Sequence, residues 1–276
     1  VGVVPVPRTP FVQRILVATR LHLKESSSMP EMNLLDDFIT RALKYGDSVA
    51  IAVGCEGNRG LSLLEQVRSR VLLLVHDQED LQSRIHIIPV QPWGKFVNAL
   101  NALAQHALET DHSHVLFQSF ETGAAPESVA ALKAEATESD LVVGAALTGH
   151  TFNPGWNDLT GRTCPWNTLA LWNTRLLALT GFLAVAEGLE VPDRADAGVE
   201  EVSCVALLQR LHTEKQAGAK LVKVPGLEWK TDFGDDERRR WHERKMVSKD
   251  KRPADQMKRL GHIGAGRVFH LVAPTL

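Results

Sequence analysis

Short runs of aliphatic and β-branched residues alternate along this chain with segments whose apolar positions repeat with a helical period. The runs predict strands at 15–19, 48–53, 85–90, 114–118, 141–147 and 222–224. The helical periods fall at 33–43, 61–71, 96–108, 169–179 and 199–211, with a further helix opening at Pro126. Strands and helices that alternate in this way predict an α/β fold, with a mainly parallel sheet flanked by helices.

Two segments depart from this alternation. Residues 148–167 are rich in Gly, Pro, Asn and Trp, which predicts a long functional loop, because structureless stretches of this length usually bind something. Residues 235–259 carry more basic than acidic side chains and predict a basic C-terminal arm. We therefore expect a main domain at 1–234 and, at 235–276, the arm with a final strand packed on that domain.

Composition narrows the class of protein. The 276 residues, 44% of them hydrophobic, suffice for one large core. A net charge of -2 argues against a nucleic-acid partner, and no apolar run approaches the roughly 20 residues of a membrane helix. The three cysteines are expected to be free thiols, which favours a soluble protein in a reducing, cytoplasmic compartment. The first residue is Val1, compatible with an upstream targeting segment, and nothing predicts an oligomeric state.

Four segments carry candidate chemistry. The first is GKFVNALN at 94–101, a Gly-Lys segment that ends in Ala-Leu-Asn. The second is the apolar run that ends in Ser119-Phe120-Glu121. The third is WNTR at 172–175, followed by Gly181-Phe182, and the fourth is GVEE at 198–201.

In this order, the four segments resemble those of the GT-A, family-two nucleotide-sugar glycosyltransferases over residues 12–226. The resemblance implies a GT-A, Rossmann-like fold and inverting transfer of a sugar from a nucleotide diphosphate to an acceptor hydroxyl. Where the family has a metal-binding Asp-x-Asp motif, this chain has Ser119 and Glu121, so Mn²⁺ or Mg²⁺ would have Glu121 as its one carboxylate ligand. Where the family has its catalytic Asp, this chain has Glu201, preceded by Glu200.

The remaining candidate residues follow from the resemblance for the donor and from side-chain chemistry for the acceptor and the leaving diphosphate. Donor binding is expected from the residues Glu56, Lys95, Asn101, Ser119, Glu121 and Arg175. Acceptor binding is expected in the loop, where Trp rings stack on sugars and amides bond their hydroxyls, from Trp156, Asn157, Asp158, Trp166 and Asn167. The basic arm could neutralise the departing diphosphate through His242, Lys245 and Lys249.

The same residues are also compatible with structural roles and with different classes of protein. Acids in a first helical turn complement the helix dipole, a Trp-rich loop can be packed surface, and a charge run can be a solvated helix face. Gly54-x-x-Gly57-x-x-Gly60 after the second strand could cradle a phosphate, as in an enzyme that uses a dinucleotide or S-adenosylmethionine. Without a full metal motif, the chain could also be an inactive scaffold that binds nucleotide sugars.

Overall fold

The structure is a computed structural model that describes residues 13–23, 29–76, 78–120, 122–188, 197–224, 227–229, 236–261 and 266–274, with the backbone alone at 228–229 and 236–247. Its strands are β1 (Ile15–Leu21), β2 (Ser48–Gly54), β3 (Ile85–Val90), β4 (His114–Gln118), β5 (Thr122–Ala124), β6 (Asp140–Ala145), β7 (Gly155–Asp158), β8 (Leu169–Asn173), β9 (Gly218–Lys223), β10 (Leu227–Trp229) and β11 (Arg267–Val272). Its helices are α1 (Met32–Ala42), α2 (Gly57–Leu74), α3 (Glu79–Gln82), α4 (Val97–Glu109), α5 (Pro126–Glu135), α6 (Thr174–Leu177), α7 (Glu200–His212) and α8 (Asp236–Arg259). A 3-10 turn covers Ala184–Glu187.

One large sheet organises the described residues. Its nine strands follow the order β3-β2-β1-β4-β8-β6-β9-β11-β7, and β5 pairs with β10 in a separate two-stranded sheet. Strands β7 and β8 run antiparallel to their neighbours, whereas the others in the large sheet run parallel to one another. The predicted α/β class, with a mainly parallel sheet flanked by helices, is confirmed.

Helices cover both faces of this sheet, and β1 shows why. Leu16 and Ala18 belong to a buried cluster with the apolar positions of α4 and α7, whereas Ile15 and Val17 belong to a cluster with those of α1, α2 and α5. Successive side chains of a strand point to opposite faces, so a strand covered on both faces is apolar at nearly every position. Burial of a side chain such as Leu16 stabilises the fold by about 1.5–3 kcal/mol.

The prediction of a helix at 169–179 was wrong in its first half. Residues Leu169–Asn173 form β8, which is fully buried between β4 and β6, and only the short helix α6 follows. A brief apolar run fits either a buried strand or a buried helix, and periodicity cannot separate the two. Pairing with two neighbouring strands decides the conformation here.

The loop and the arm both contain regular structure. Residues 155–158 of the expected loop form β7, an edge strand paired with β11. The final strand, β11, lies inside the large sheet between β9 and β7. Helix α8 packs against α7 and the 3-10 turn. The arm therefore shares the sheet and the helical layer of the main domain.

Candidate functional site

The parallel strands end at one edge of the sheet, which we call the carboxyl edge. Along this edge β2 and β3 follow on one side of β1, whereas β4 lies on the other side. In open α/β sheets, ligands bind at the carboxyl ends of the strands where the strand order reverses in this way. The crevice between the ends of β1 and β4 is therefore the expected binding place.

An acidic pair lies at this edge. Glu200 and Glu201 open α7, and both are buried. The backbone N–H of Asn167 donates to Glu201 Oε1 at 2.5 Å, and the side-chain amide of Asn167 donates to Glu200 Oε1 at 3.2 Å. Asn167 Oδ1 in turn accepts from the indole N–H of Trp172 at 2.8 Å. One asparagine thus ties the start of α7 to the loop and to the central strand β8.

The buried surroundings of the acidic pair raise the pKa of Glu201. Burial raises the pKa of Glu201, and the neighbouring Glu200 raises it further, whereas the hydrogen bond from Asn167 and the charge of Lys249 act in the opposite direction. Arg20, near the end of β1, places a guanidinium nitrogen 3.8 Å from Glu200 Oε1 and offsets charge there. We conclude that Glu201 favours its neutral form, because a second uncompensated carboxylate in this buried place would be costly.

Helix α8 lies beside the acidic pair. The ammonium group of Lys249 lies 2.8 Å from the centre of the Trp166 ring, on which His150 also stacks with ring centres 3.6 Å apart. Burial lowers the pKa of His150 to about 3, and Lys249 lowers it further, so this imidazole is neutral. A Cβ atom at Gly161 would collide with the carbonyl of Lys249. The loop and the helix are thus in direct backbone contact.

Two more residues of α8 hold the segment that precedes α7. The guanidinium of Arg252 donates to the carbonyl of Ala197, and Gln256 Nε2 donates to the carbonyl of Gly198 at 3.0 Å. Burial lowers the pKa of Arg252, whereas Glu200 and Glu201 raise it. Two basic residues of α8, Lys249 and Arg252, therefore lie close enough to the two acids to interact with them electrostatically.

The backbone of the Gly-Lys segment binds a side-chain carboxylate of the same chain, that of Glu187. Glu187 Oε1 accepts hydrogen bonds from three successive backbone N–H groups, those of Lys95 at 3.0 Å, Phe96 at 2.8 Å and Val97 at 2.7 Å. The ammonium group of Lys95 donates to the carbonyl of Glu187. The N-terminus of a helix is a general anion site, and here a carboxylate fills it.

The other expected donor residues are divided between two edges. Glu56 follows β2 and accepts from the N–H of Trp93 at 3.0 Å, and the Trp93 ring stacks on His22 with centres 4.8 Å apart. Ser119 follows β4 at the same edge. Arg175 is exposed in α6, after the end of the antiparallel β8, and so lies at the opposite edge. The structure does not bring Arg175 to the acidic pair.

Asn101 has a different environment from the other donor candidates. Its side chain donates to the carbonyl of Phe182 at 3.0 Å and accepts from the Phe182 N–H at 2.8 Å. A Cβ atom at Gly181, which has φ +62°, would approach Asn101 Oδ1 to 2.9 Å. Asn101 therefore clamps the Gly-Phe turn onto α4.

The expected acceptor residues also fall into two groups. Trp166 and Asn167 adjoin the acidic pair, but Trp166 is only 2% exposed, and its indole N–H donates to Gly161 O at 2.8 Å. Trp156, Asn157 and Asp158 form the edge strand β7, five strands beyond β4. At a strand spacing near 4.8 Å, this separation is about 24 Å. Trp156 is half exposed there, with Phe269 against its ring and Arg267 over it.

The remaining candidates fall outside what can be described. Glu121 lies outside the described residues, as do the side chains of His242 and Lys245. Among the described residues, no three His, Cys, Asp or Glu side chains are grouped so that they could hold a metal ion. The Ser119 hydroxyl is hydrogen-bonded to that of Thr122 at 2.9 Å.

The glycine-rich turn after β2 is accounted for by packing. A Cβ atom at Gly60 would lie 2.7 Å from the backbone of Cys55, and one at Gly54 would meet the rings of His22 and Trp93. Gly57 opens α2 with φ +63°. Close packing and the positive φ thus account for all three glycines. The turn also follows the second strand, β2, rather than the first.

Sequence reasoning did not single out Arg20, Glu187 or Arg252. A signal for Arg20 was present, because it is a charged residue near the carboxyl end of an otherwise apolar first strand. Arg252 was one of many basic residues in the arm, and no local pattern marks Glu187 as a partner of the distant Gly-Lys segment. Only the folded chain brings these residues together.

Comparison with known proteins gives distant likenesses of shape. No family model matches the sequence, and no curated protein matches it. A crystal structure of S. aureus TarS 1–349 is 12% identical with a TM-score of 0.41, over 71% of this chain and 55% of that one. This chain thus spans about half of that protein fragment. A mannose-1-phosphate geranyltransferase from Thermus thermophilus is 13% identical with a TM-score of 0.35, over 95% and 74%. TM-scores this low establish neither a shared fold nor a shared function.

One further property concerns membranes. Among the described helices, none has both the length and the apolar character that a bilayer crossing demands.

Proposed function

We propose that this chain is a glycosyltransferase that moves a sugar, with inversion, from a nucleotide-diphosphate donor to an acceptor hydroxyl. The observation that carries the proposal is the buried acidic pair Glu200–Glu201, which lies beside Arg20 at the crevice where the strand order reverses. The resemblance of the four sequence segments to family-two glycosyltransferases is consistent with this assignment.

An inverting transfer needs one general base, which removes the proton of the acceptor hydroxyl as its oxygen attacks the sugar. Glu201 was the expected base, but burial favours its neutral form, so we assign the base to Glu200, whose charge Arg20 offsets. In this assignment the neutral Glu201 keeps the pair at a single negative charge. Proton transfer to Glu200 then leaves both carboxyl groups neutral in a buried place, which is favourable.

The donor would lie between the ends of β1, β2 and β4. Glu56 and the stacked pair of His22 and Trp93 lie on the side of β2, where a nucleotide base could be bound. Ser119 follows β4, and Lys95 precedes α4 by two residues. We keep Asn101 as a residue that positions α4, because both ends of its amide are bonded to Phe182.

The described residues of this edge do not fit a divalent cation. A hard cation needs several oxygen ligands, and the position of the metal motif offers the hydroxyl of Ser119, which is already bonded to Thr122. Glu121 would add one carboxylate. We therefore assign no step of the transfer to Mn²⁺ or Mg²⁺.

The acceptor must approach Glu200 from the side of Arg20, whose side chain is 35% exposed, because α8 covers the other side. Asn167 donates a hydrogen bond to Glu200 and would thereby orient the carboxylate that removes the proton of the acceptor. The exposed Trp156 would be reached only by an acceptor that extends along the sheet. A short acceptor would leave Trp156, Asn157 and Asp158 unused.

A thermal-shift screen tests the proposal. Uridine, guanosine, adenosine and cytidine diphosphates are added to the purified chain, each with Mn²⁺ and with EDTA. A ligand that binds only the folded state raises its stability, by about 2.7 kcal/mol at a hundred times its Kd. We expect at least one of these nucleotides to raise the melting temperature. If none of them does so under either condition, the nucleotide-sugar proposal is wrong.

A second candidate is a scaffold or sensor that binds nucleotide sugars without turning them over. The observation in its favour is that Asn167 bonds both acids and Trp172, as a purely structural network would. Release of nucleoside diphosphate from the bound donor separates the two candidates. A transferase should release it with an acceptor present and lose this activity in Glu200→Gln while it still binds the donor. A scaffold releases none.

A further inference from the structure

Arg20 has a position that no other described cation shares. It lies on β1 opposite Ala52, on the sheet face of Leu16 and Ala18, which α4 and α7 cover. Its guanidinium carbon is 5.7 Å from the ring centre of Phe96, just before α4, and its Nη1 atom is 3.8 Å from Glu200, the first residue of α7. The guanidinium thus lies between the amino ends of two helices.

The hydrogen bonds of Arg20 are incomplete. Its Nη1 atom is buried without a hydrogen-bond partner among the described residues, since 3.8 Å to Glu200 is too long for such a bond. A guanidinium has five N–H donors in a fixed plane, and a buried donor without an acceptor costs about 1–3 kcal/mol. A ligand with closely spaced anionic oxygens would satisfy these donors.

The surroundings of Arg20 carry both positive and negative charge. The amino ends of helices carry partial positive charge, so α4 and α7 add to the charge of Arg20. Three carboxyl groups already lie in this region, those of Glu187, Glu200 and Glu201. Glu187 shows that three N–H groups here point at one anionic oxygen. Because Glu187 already occupies the N–H groups at the start of α4, a diphosphate at the end of β1 would depend on Arg20 for its hydrogen bonds.

We infer that Arg20 is the group that binds the diphosphate of the donor and stabilises it as it departs, in place of a metal ion. This inference rests on the proposed sugar transfer. The acceptor oxygen forms its bond to the anomeric carbon as its proton passes to Glu200. The bond from that carbon to the diphosphate oxygen breaks, its electron pair stays on the phosphate, and Arg20 offsets the added negative charge.

The test compares the wild type with Arg20→Gln, Arg20→Lys and the control Arg70→Gln. Arg70 forms an ion pair with Asp36 between α2 and α1, which cover the sheet face opposite to that of Arg20. Binding of inorganic pyrophosphate, of uridine and guanosine diphosphates and of the two nucleosides is measured by calorimetry in EDTA. Circular dichroism verifies that each variant is folded, and Arg20→Lys keeps the charge if Arg20→Gln does not fold.

We expect Arg20→Gln to weaken binding of pyrophosphate and of the preferred nucleoside diphosphate by about 10- to 100-fold, with nucleoside binding unchanged. Arg20→Lys should lose less, because it keeps the charge but not the planar donor pair. Arg70→Gln should bind like the wild type. An equal loss for nucleosides and diphosphates would indicate a structural role and overturn the inference.

The outcomes also separate this inference from the proposed function. If diphosphates bind the wild type and Arg20→Gln equally, the role of Arg20 is refuted and the sugar-transfer proposal survives. If pyrophosphate binds through Arg20 but none of the four nucleoside diphosphates of the thermal-shift screen binds, the anion site stands and the proposed function loses its donor. If the wild type binds neither pyrophosphate nor a nucleoside diphosphate, both are overturned.

Discussion

The two edges of the sheet both bury ionisable side chains, but they hold them in different ways. The amino edge is the opposite edge of the sheet, where the parallel strands begin. There His112 is hydrogen-bonded to Thr110 and His114 to Ser113, partners one or two residues away. At the carboxyl edge, Glu200 and Glu201 are bonded to Asn167, 33 and 34 residues away. The first arrangement is local to one turn, whereas the second exists only because the loop and α7 meet.

The charge states differ as well. Burial lowers the pKa of His112 and His114 to about 4, so both imidazoles are neutral near pH 7. Burial likewise favours neutral Glu201, but Arg20 and Arg252 lie beside the acidic pair and retain charge there. Charge is also kept at the amino edge, where the buried Asp140 is paired with Lys220. At the carboxyl edge the charged groups around the acidic pair come from three elements, β1, α7 and α8.

The largest effect is expected at Asn167. In Asn167→Ala, the indole N–H of Trp172 and one oxygen of Glu200 lose their bonds in a buried place, so we expect the free energy of unfolding to fall by about 2–4 kcal/mol. Urea unfolding followed by circular dichroism measures the loss. The control is Asn157→Ala, whose amide bonds only nearby carbonyls and should cost about 1 kcal/mol or less. Equal losses would remove the distinction between long-range and local networks.

A smaller effect is expected at Glu201, and it should depend on pH. The folded pKa of Glu201 lies above the unfolded value of about 4.3, so between the two values the folded state binds more protons. Stability from this group is complete below about pH 4.3 and is lost as the pH rises through the folded pKa. Glu201→Gln removes the titrating proton, so its free energy of unfolding should lack this decline.

At about pH 8, we expect Glu201→Gln to be more stable than the wild type by roughly 1–3 kcal/mol. Urea midpoints from about pH 5 to pH 9 measure the difference. Glu127→Gln is the matched control, because Glu127 also lies in a first helical turn but is exposed. Its pH profile should follow that of the wild type. A wild-type decline that persists in Glu201→Gln would mean that another group causes it.

The smallest effect is expected at the amino edge, where stability falls as the pH is lowered rather than as it is raised. His112 has a folded pKa of about 4, below the unfolded value of about 6.5, so the unfolded state binds more protons between them. Its contribution to stability is therefore lost as the pH falls from 6.5 to about 4. The charged and titratable groups that face it are those of Arg14, Asp47, His86 and His106.

His112→Gln should shrink the stability difference between pH 7 and pH 5 by about 1 kcal/mol. Unfolding in urea at the two pH values measures this change, with the exposed His76→Gln as the control. An unchanged difference in His112→Gln would show that His112 does not govern acid sensitivity.

Much of the fold could be predicted from local pattern, since strands covered on both faces are apolar throughout and helices carry a 3.6-residue period. The prediction did not extend to β8, because its short apolar run fits a strand or a helix until β4 and β6 pair with it. The strand β7 was hidden for a similar reason: its partner, β11, comes more than a hundred residues later.

The candidate site shows the same limit. Sequence alone marked Glu200, Glu201, Trp166, Asn167 and Lys249, and the structure brings these five together. The sequence could not show that Trp156 lies in the edge strand β7 or that Arg175 follows the end of β8 that is remote from the carboxyl edge. Distance along the chain carries no information about order in a sheet.

For this protein, the sequence by itself determined the α/β class and the acidic start of α7, because both follow from side-chain periods and from short-range backbone preferences. The tertiary structure alone decided that the pKa of Glu201 is raised, which loop tryptophan is buried and that Arg20 lies beside Glu200. These properties depend on desolvation and on charges from remote segments, and both arise only when the sheet, α7 and α8 pack together.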